Sequence, residues 1–164
     1  MNDIIDSHCH LDFDDFSSDR NAVIERARNK GIKQIIIPGV KRHNWHFIRE
    51  ICDNDPQLHA CYGLHPYLAG EHTDDDITQL KHWLDNNDCV AVGKCDYRKD
   101  QADKNLQMKF FNAQIDIAHA IDKPVVIHSV GATEDVINTV KQHLGLKGMI
   151  HSYSGSYEQA KQLI

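Results

Sequence analysis

Apolar positions along this chain fall into two alternating kinds of segment. One kind is short and nearly continuous, as in Ile35-Ile36-Ile37, Val90-Ala91-Val92 and Val125-Val126-Ile127. Bounded by turn residues, such runs read as strands buried on both faces. The other kind is longer, with apolar residues three and four apart, and reads as amphipathic helix. Taken in order, a first strand runs through Ile4-Ile5 to His10, followed by a helix over 20–30 with Ser17-Ser18-Asp19 as N-cap residues and Gly31 as its stop. A strand over 33–40, a helix over 43–53 and a strand over 58–63 come next. Thr73 to Asp76 cap a helix over 77–86, and a strand over 89–94 follows. A helix over 104–121, a strand over 125–128, a helix over 134–144 and a strand over 147–153 complete the pattern, with Ser156 opening a last helix. Strands alternating with helices predict a parallel sheet with helical crossovers, either an open doubly wound sheet or a closed β/α barrel.

The histidines decide between these two. His8 and His10 alternate on one strand, so they share a face with roughly 6.5–7 Å of backbone between them and can converge on one metal ion. His65, His128 and His151 each sit at or just past the C-terminal end of a predicted strand. In a β/α barrel those ends face one another across the mouth. A doubly wound sheet gives no reason for polar groups at so many strand ends, and neither a G-x-G-x-x-G nor a phosphate-binding G-x-x-x-x-G-K-S/T is present. The acidic runs Asp12 to Asp15 and Asp74 to Asp76 read as solvated turns or helix starts. His43 and His46 read as surface residues, and His59, His72, His82, His119 and His143 have no partner pattern.

Charge and cysteine content narrow the chemistry. A formal charge of −6 excludes a protein that grips nucleic acid by a broad basic surface, so a phosphodiester substrate would need metal ions for its positive field. No apolar run approaches the roughly 18–20 residues of a membrane span, and Met1-Asn2-Asp3 lacks the features of a secretory leader, which places the chain in the cytoplasm without a membrane partner. Five cysteines with no C-x-x-C read as reduced, mostly buried thiols, Cys9 being small packing on the face opposite the two histidines.

Asp6-Ser7-His8-Cys9-His10-Leu11-Asp12, Gly63-Leu64-His65-Pro66, Val90-Ala91-Val92-Gly93, the helix containing Gln114, Pro124 to Ser129 and His151-Ser152-Tyr153-Ser154-Gly155-Ser156 follow one another in an order and spacing that resembles the TatD-type metal-dependent deoxyribonucleases, a branch of the amidohydrolase superfamily. The resemblance covers essentially the whole chain. It implies a TIM-like α/β barrel, here one domain over 1–164 truncated after about six β/α units, and a hydrolase acting on DNA or another phosphodiester. It also implies two divalent ions (zinc, manganese, magnesium, cobalt or nickel), with His8 and His10 on one, His128 and His151 completing the cluster, and His65 at the substrate.

Departures from the family pattern count against catalysis. Lys94 stands where the family has a metal-ligating glutamate, and a protonated ammonium there repels divalent cations. Lys94 becomes a ligand only if carbamylated, as a lysine does elsewhere in the superfamily. The Cys95-Asp96-Tyr97 segment is shorter than its family counterpart, and Val130 replaces a common arginine. The family's late glutamate-threonine-aspartate, whose aspartate is its general base, has no counterpart, so the catalytic base is unassigned. An incomplete barrel would also expose strand edges to self-association. The alternative to an active hydrolase is therefore a non-catalytic remnant or a weak metal-binding module.

Overall fold

The computed structural model describes residues 3–98 and 103–164. Six strands, β1 (Ile4–Asp6), β2 (Ile32–Pro38), β3 (Leu58–Tyr62), β4 (Ala91–Arg98), β5 (Val125–Val130) and β6 (Gly148–His151), form one sheet. Each strand is parallel to its sequence neighbour, in the spatial order 1-2-3-4-5-6. An order without reversal has no switch point, so the fold is of the barrel type and not doubly wound. Between the strands run α1 (Arg20–Asn29), α2 (Trp45–Asp53), α3 (Asp74–Asn86), α4 (Lys104–Ala120) and α5 (Thr133–Val140), with α6 (Tyr157–Ala160) after β6.

Curling of the sheet follows from one distance. Laid flat, β1 and β6 would stand about 24 Å apart at five inter-strand spacings. The rings of His8, just past β1, and His151, at the end of β6, instead stack at 3.8 Å between centroids and 3° between planes. The sheet is therefore a curled α/β half-barrel with its C-terminal strand ends turned toward one another.

Two apolar layers hold it. Outside the sheet, Ile35, Ile37, Trp45, Ile48, Leu80, Phe110, Phe111, Ile115 and Val136 belong to the main buried cluster with the helices. Inside, Cys61, Ala91 and Val126 pack together, with Ile36 and Met149 against them. Two residues farther along their strands come Gly63, Gly93, His128 and His151. Strand alternation puts these on the face of the inner layer, one step nearer the mouth. A Cβ added to Gly63 would fall inside contact distance of the Gly93 backbone, and one added to Gly93 would meet the Val126 carbonyl oxygen. The glycines thus permit close strand approach beside the two histidines.

Several boundaries differ from the sequence expectations for physical reasons. The α3 helix begins at Asp74, because Thr73 and Asp76 form a reciprocal capping box. At the start of α1, Asp19 holds the N-cap position without a side-chain cap, and its carboxylate lies 3.4 Å from Arg26. The α5 helix stops at Val140, after which turns link His143 N–H to the Val140 carbonyl. Strand β4 runs four residues beyond expectation. Its ladder with β5 shifts between Val92 and Cys95, and Gly93 takes φ +125° there, so one extra residue is accommodated as a bulge.

One reading is overturned. Asp12, expected in a solvated acidic turn, is only 3% exposed, whereas Asp14 and Asp15 are exposed. Phe13 N–H bonds to the His10 carbonyl at 3.1 Å, and this turn folds Asp12 back against His10.

Candidate functional site

The histidines named from the sequence come together at the mouth. His8 and His10 leave β1 on one face, and their Nε2 atoms are 3.2 Å apart. Asp6 Oδ1 accepts from the His8 backbone N–H at 3.0 Å, and Cys9 N–H donates to Ile36 O on β2 at 3.0 Å, which fixes the backbone between the two rings. Phe13 stacks on His10 with centroids 4.6 Å apart. Across the mouth, the ladder sets His128 of β5 beside His151 of β6, with ring centroids 5.3 Å apart. His65 borders the group, 6.1 Å from His128 by ring centroid.

His65 is placed by its backbone. Its N–H donates to Val40 O at 2.8 Å, while its carbonyl accepts from His72 Nε2 at 2.9 Å. Burial pushes the His72 imidazole below its ordinary range, and the bond to the His65 carbonyl opposes that shift in part. One residue earlier, the Leu64 N–H and carbonyl are both satisfied by buried Gln114 of α4, at 2.7 and 2.9 Å. This contact accounts for a glutamine that is fully buried in a helix.

The two halves of the site differ in how their donors point. Two metal–nitrogen bonds of about 2.0–2.1 Å, at angles between octahedral and tetrahedral, hold their nitrogens roughly 2.9–3.4 Å apart. The His8–His10 separation of 3.2 Å fits that range, and neutral imidazoles suit a borderline divalent ion. His151 instead lies face to face with His8, and its Nε2 is 3.0 Å from Ser152 Oγ. Among the described residues, no group of three histidine, cysteine, aspartate or glutamate side chains is close enough to hold an ion.

Lys94 lies on β4 at the bulge, and its side chain is outside the described part of the structure, as is that of Asp96. The backbone register pairs Asp96 with His128.

Burial favours the protonated form of Cys9, Cys52, Cys61 and Cys89. Burial pushes Cys61 up and Cys52 up to about 12. Burial also raises Cys9, helped by the charges of Asp6 and Asp12. None of the five cysteines is in a disulfide. No helix among the described residues is long and apolar enough to cross a membrane.

Sequence reasoning missed Asp12 and Ser152. Asp12 shares the alternating parity of His8 and His10, a signal outweighed by the acidic residues that follow it. Ser152 adopts φ +55°, a local conformation with no marker in the residue type.

Comparison with known proteins identifies the family and agrees with the fold. The family described as "TatD related DNase" matches residues 5–164. An Escherichia coli K12 protein named "Uncharacterized metal-dependent hydrolase YjjV" is 33% identical over 98% of this chain and 64% of its own length. The crystal structure of that TatD homologue superposes with a TM-score of 0.91 at 32% identity, covering 97% of this chain and 63% of the other. An Erwinia tasmaniensis protein named "3'-5' ssDNA/RNA exonuclease TatD" is 29% identical over 86% of this chain and 56% of its own. The chain thus spans just under two thirds of the length of the relatives it matches. With the family match running over nearly all its residues, this chain belongs to the TatD-related DNase family.

Proposed function

We propose that the chain belongs to a metal-dependent hydrolase of phosphodiester bonds, of the deoxyribonuclease class, with its site at the histidine cluster. His8 and His10 would hold one divalent ion, and His128 and His151 would contribute to a second position. The observation that carries this reading is the gathering of imidazoles from β1, β5 and β6 around one mouth, with the His8 and His10 nitrogens at ligand spacing. A bound divalent ion supplies Lewis acidity, lowering the pKa of coordinated water and offsetting phosphate charge.

The chain's own residues do the rest. Asp6 and the β2 contact hold the His8-Cys9-His10 backbone, so little ordering is needed when the imidazoles are used. His65, tethered through Val40 and His72, would meet substrate at the rim. A net charge of −6 disfavours a polyanion over the surface as a whole, which concentrates favourable binding at the mouth.

The test is cleavage of single-stranded DNA by protein carrying counted zinc or manganese, alongside His128→Ala. Turnover that falls at least about 100-fold in the variant supports the enzyme. Absence of turnover in the metal-loaded wild type overturns it. A second reading, a weak metal-binding module without catalysis, is favoured by the bond between His151 and Ser152, which turns one expected ligand nitrogen to a hydroxyl. Carbamylation of Lys94 belongs with the first reading and predicts a carbon dioxide adduct in the native intact mass that is lost on denaturation.

A further inference from the structure

Behind His10 lies a carboxylate that the proposed hydrolase leaves without a role. Asp12 is 3% exposed, although it is an aspartate in a turn and the residues that follow it, Phe13, Asp14 and Asp15, are exposed. Its Oδ2 accepts from Asn44 Nδ2 at 3.0 Å; Asn44 belongs to the short helical turn Arg42–Asn44 after β2. Its Oδ1 is buried and has no hydrogen-bond partner among the described residues. A buried carboxylate oxygen left unsatisfied carries the desolvation cost of a charged group, so its position calls for a donor. The ring nitrogen within ion-pair range is His10 Nδ1, at 3.8 Å.

That distance is about 1 Å beyond a hydrogen bond. The loop carrying Asp12 is pinned on its other side, where Arg20 Nε donates to Leu11 O at 2.6 Å and Arg20 Nη2 to Phe13 O at 3.4 Å. Asn44 and Arg20 thus hold the carboxylate in place behind the ring. A turn of the His10 ring of about 1 Å at Nδ1 would bring it to hydrogen-bond distance.

The two ring nitrogens of His10 therefore face different surroundings: Nε2 faces His8 in the site and Nδ1 faces Asp12 behind it. We propose that Asp12, oriented by Asn44, is a positioning residue that holds His10 as its Nδ1–H tautomer and so presents the Nε2 lone pair to the mouth. Imidazoles that bind metals commonly donate their other N–H to a carboxylate, which fixes the tautomer and ring angle and raises ligand basicity. The inference rests on the proposed metal site for its purpose, but the tautomer is a property of the metal-free chain.

Asp12→Asn tests it with little change in shape. Asn44 Nδ2 can satisfy only the new amide oxygen, which turns the new NH₂ toward His10 Nδ1. That nitrogen must then accept, and the ring proton moves to Nε2, where it blocks the site. Nitrogen-15 NMR of the full metal-free chain, at a pH of about 8 where an ordinary imidazole is neutral, reads the tautomer directly. Zinc titration against a competing chelator reads affinity.

We expect His10 to be protonated at Nδ1 in the wild type and at Nε2 in Asp12→Asn, with zinc affinity about 10–100-fold weaker in the variant. Asn44→Ala, which frees the carboxylate without reversing its polarity, should give a smaller loss in the same direction. A wild-type proton on Nε2, or Asp12→Asn with unchanged tautomer and affinity within twofold, overturns the proposal. Should Asp12→Asn fail to fold, the wild-type tautomer decides by itself. A wild type with the expected tautomer but no zinc affinity would uphold Asp12 as the positioning group while removing the metal reading of the site.

Discussion

The β1 side of the mouth and the β5–β6 side supply the same residue type by different routes. His8 and His10 are two residues apart on one chain segment, so strand alternation alone puts them on a common face, and the Asp6 and Ile36 contacts hold them there. Their nitrogens converge to 3.2 Å. His128 and His151 are paired across a ladder and reach the β1 histidines only because the sheet curls. Their ring centroids lie 5.3 Å apart, and His151 is engaged by Ser152. Local geometry therefore preorganises one half of the site, while the other depends on the register of β4, β5 and β6. Mutations should separate the two halves.

Gly93→Ala should have the largest effect. Gly93 takes φ +125°, and an added Cβ would collide with the Val126 carbonyl oxygen. A strained backbone combined with a backbone clash should cost about 3 kcal/mol or more in denaturant unfolding. Within the protein that remains folded, β4 must move away from β5, carrying disorder toward His128 and not toward His8 or His10. Unfolding within about 0.5 kcal/mol of wild type would show that the bulge is not a fixed feature of β4.

Replacing single histidines sharpens the comparison further. His10→Ala removes one member of the convergent pair and should weaken first-ion binding about 100-fold or more, an effect readable by calorimetry with zinc. His151→Ala should leave that affinity within about threefold, because its ring stacks on His8 and does not share its donor point. Equal losses in the two variants would erase the distinction between the halves.

The same contrast between local and long-range causes separates the features legible in the amino-acid sequence from those hidden in it. The β/α alternation is legible because each buried strand is a compact apolar run, and Val125-Val126-Ile127 and Ile35-Ile36-Ile37 can hardly be read otherwise. The gathering of strand-end histidines is legible through the barrel argument. The β4 extension is not, since Asp96 and Arg98 break the apolar pattern after a glycine that also reads as a strand end. Asp12 is hidden because a buried carboxylate and a solvated one are identical as letters. Its burial depends on Asn44, 32 residues away in sequence and adjacent only after β2 has paired with β1. The engagement of His151 by Ser152 depends on a backbone angle that composition does not encode.

The smallest effect concerns the support behind the β5–β6 half. After α5, His143 donates Nδ1–H to the Thr139 carbonyl at 3.0 Å and places Nε2 2.8 Å from Asp116 Oδ1 on α4, tying the two helices together. The Thr139 carbonyl first, and then the Asp116 carboxylate, hold the His143 imidazolium above its usual range. A histidine with a raised folded pKa contributes stability that is fully present below its unfolded value, about 6.5, and is lost as pH rises through the folded value. Asp116 is exposed, so solvent screening keeps the contribution small. Asp116→Asn should therefore lower the thermal midpoint slightly at a pH of about 5.5 and hardly at all near pH 8.5, with zinc binding by His8 and His10 unchanged at the higher pH. A deficit that grew with pH would reverse the sign of this linkage, and a change in zinc affinity near pH 8.5 would show that the clamp behind β5 reaches the β1 side of the mouth after all.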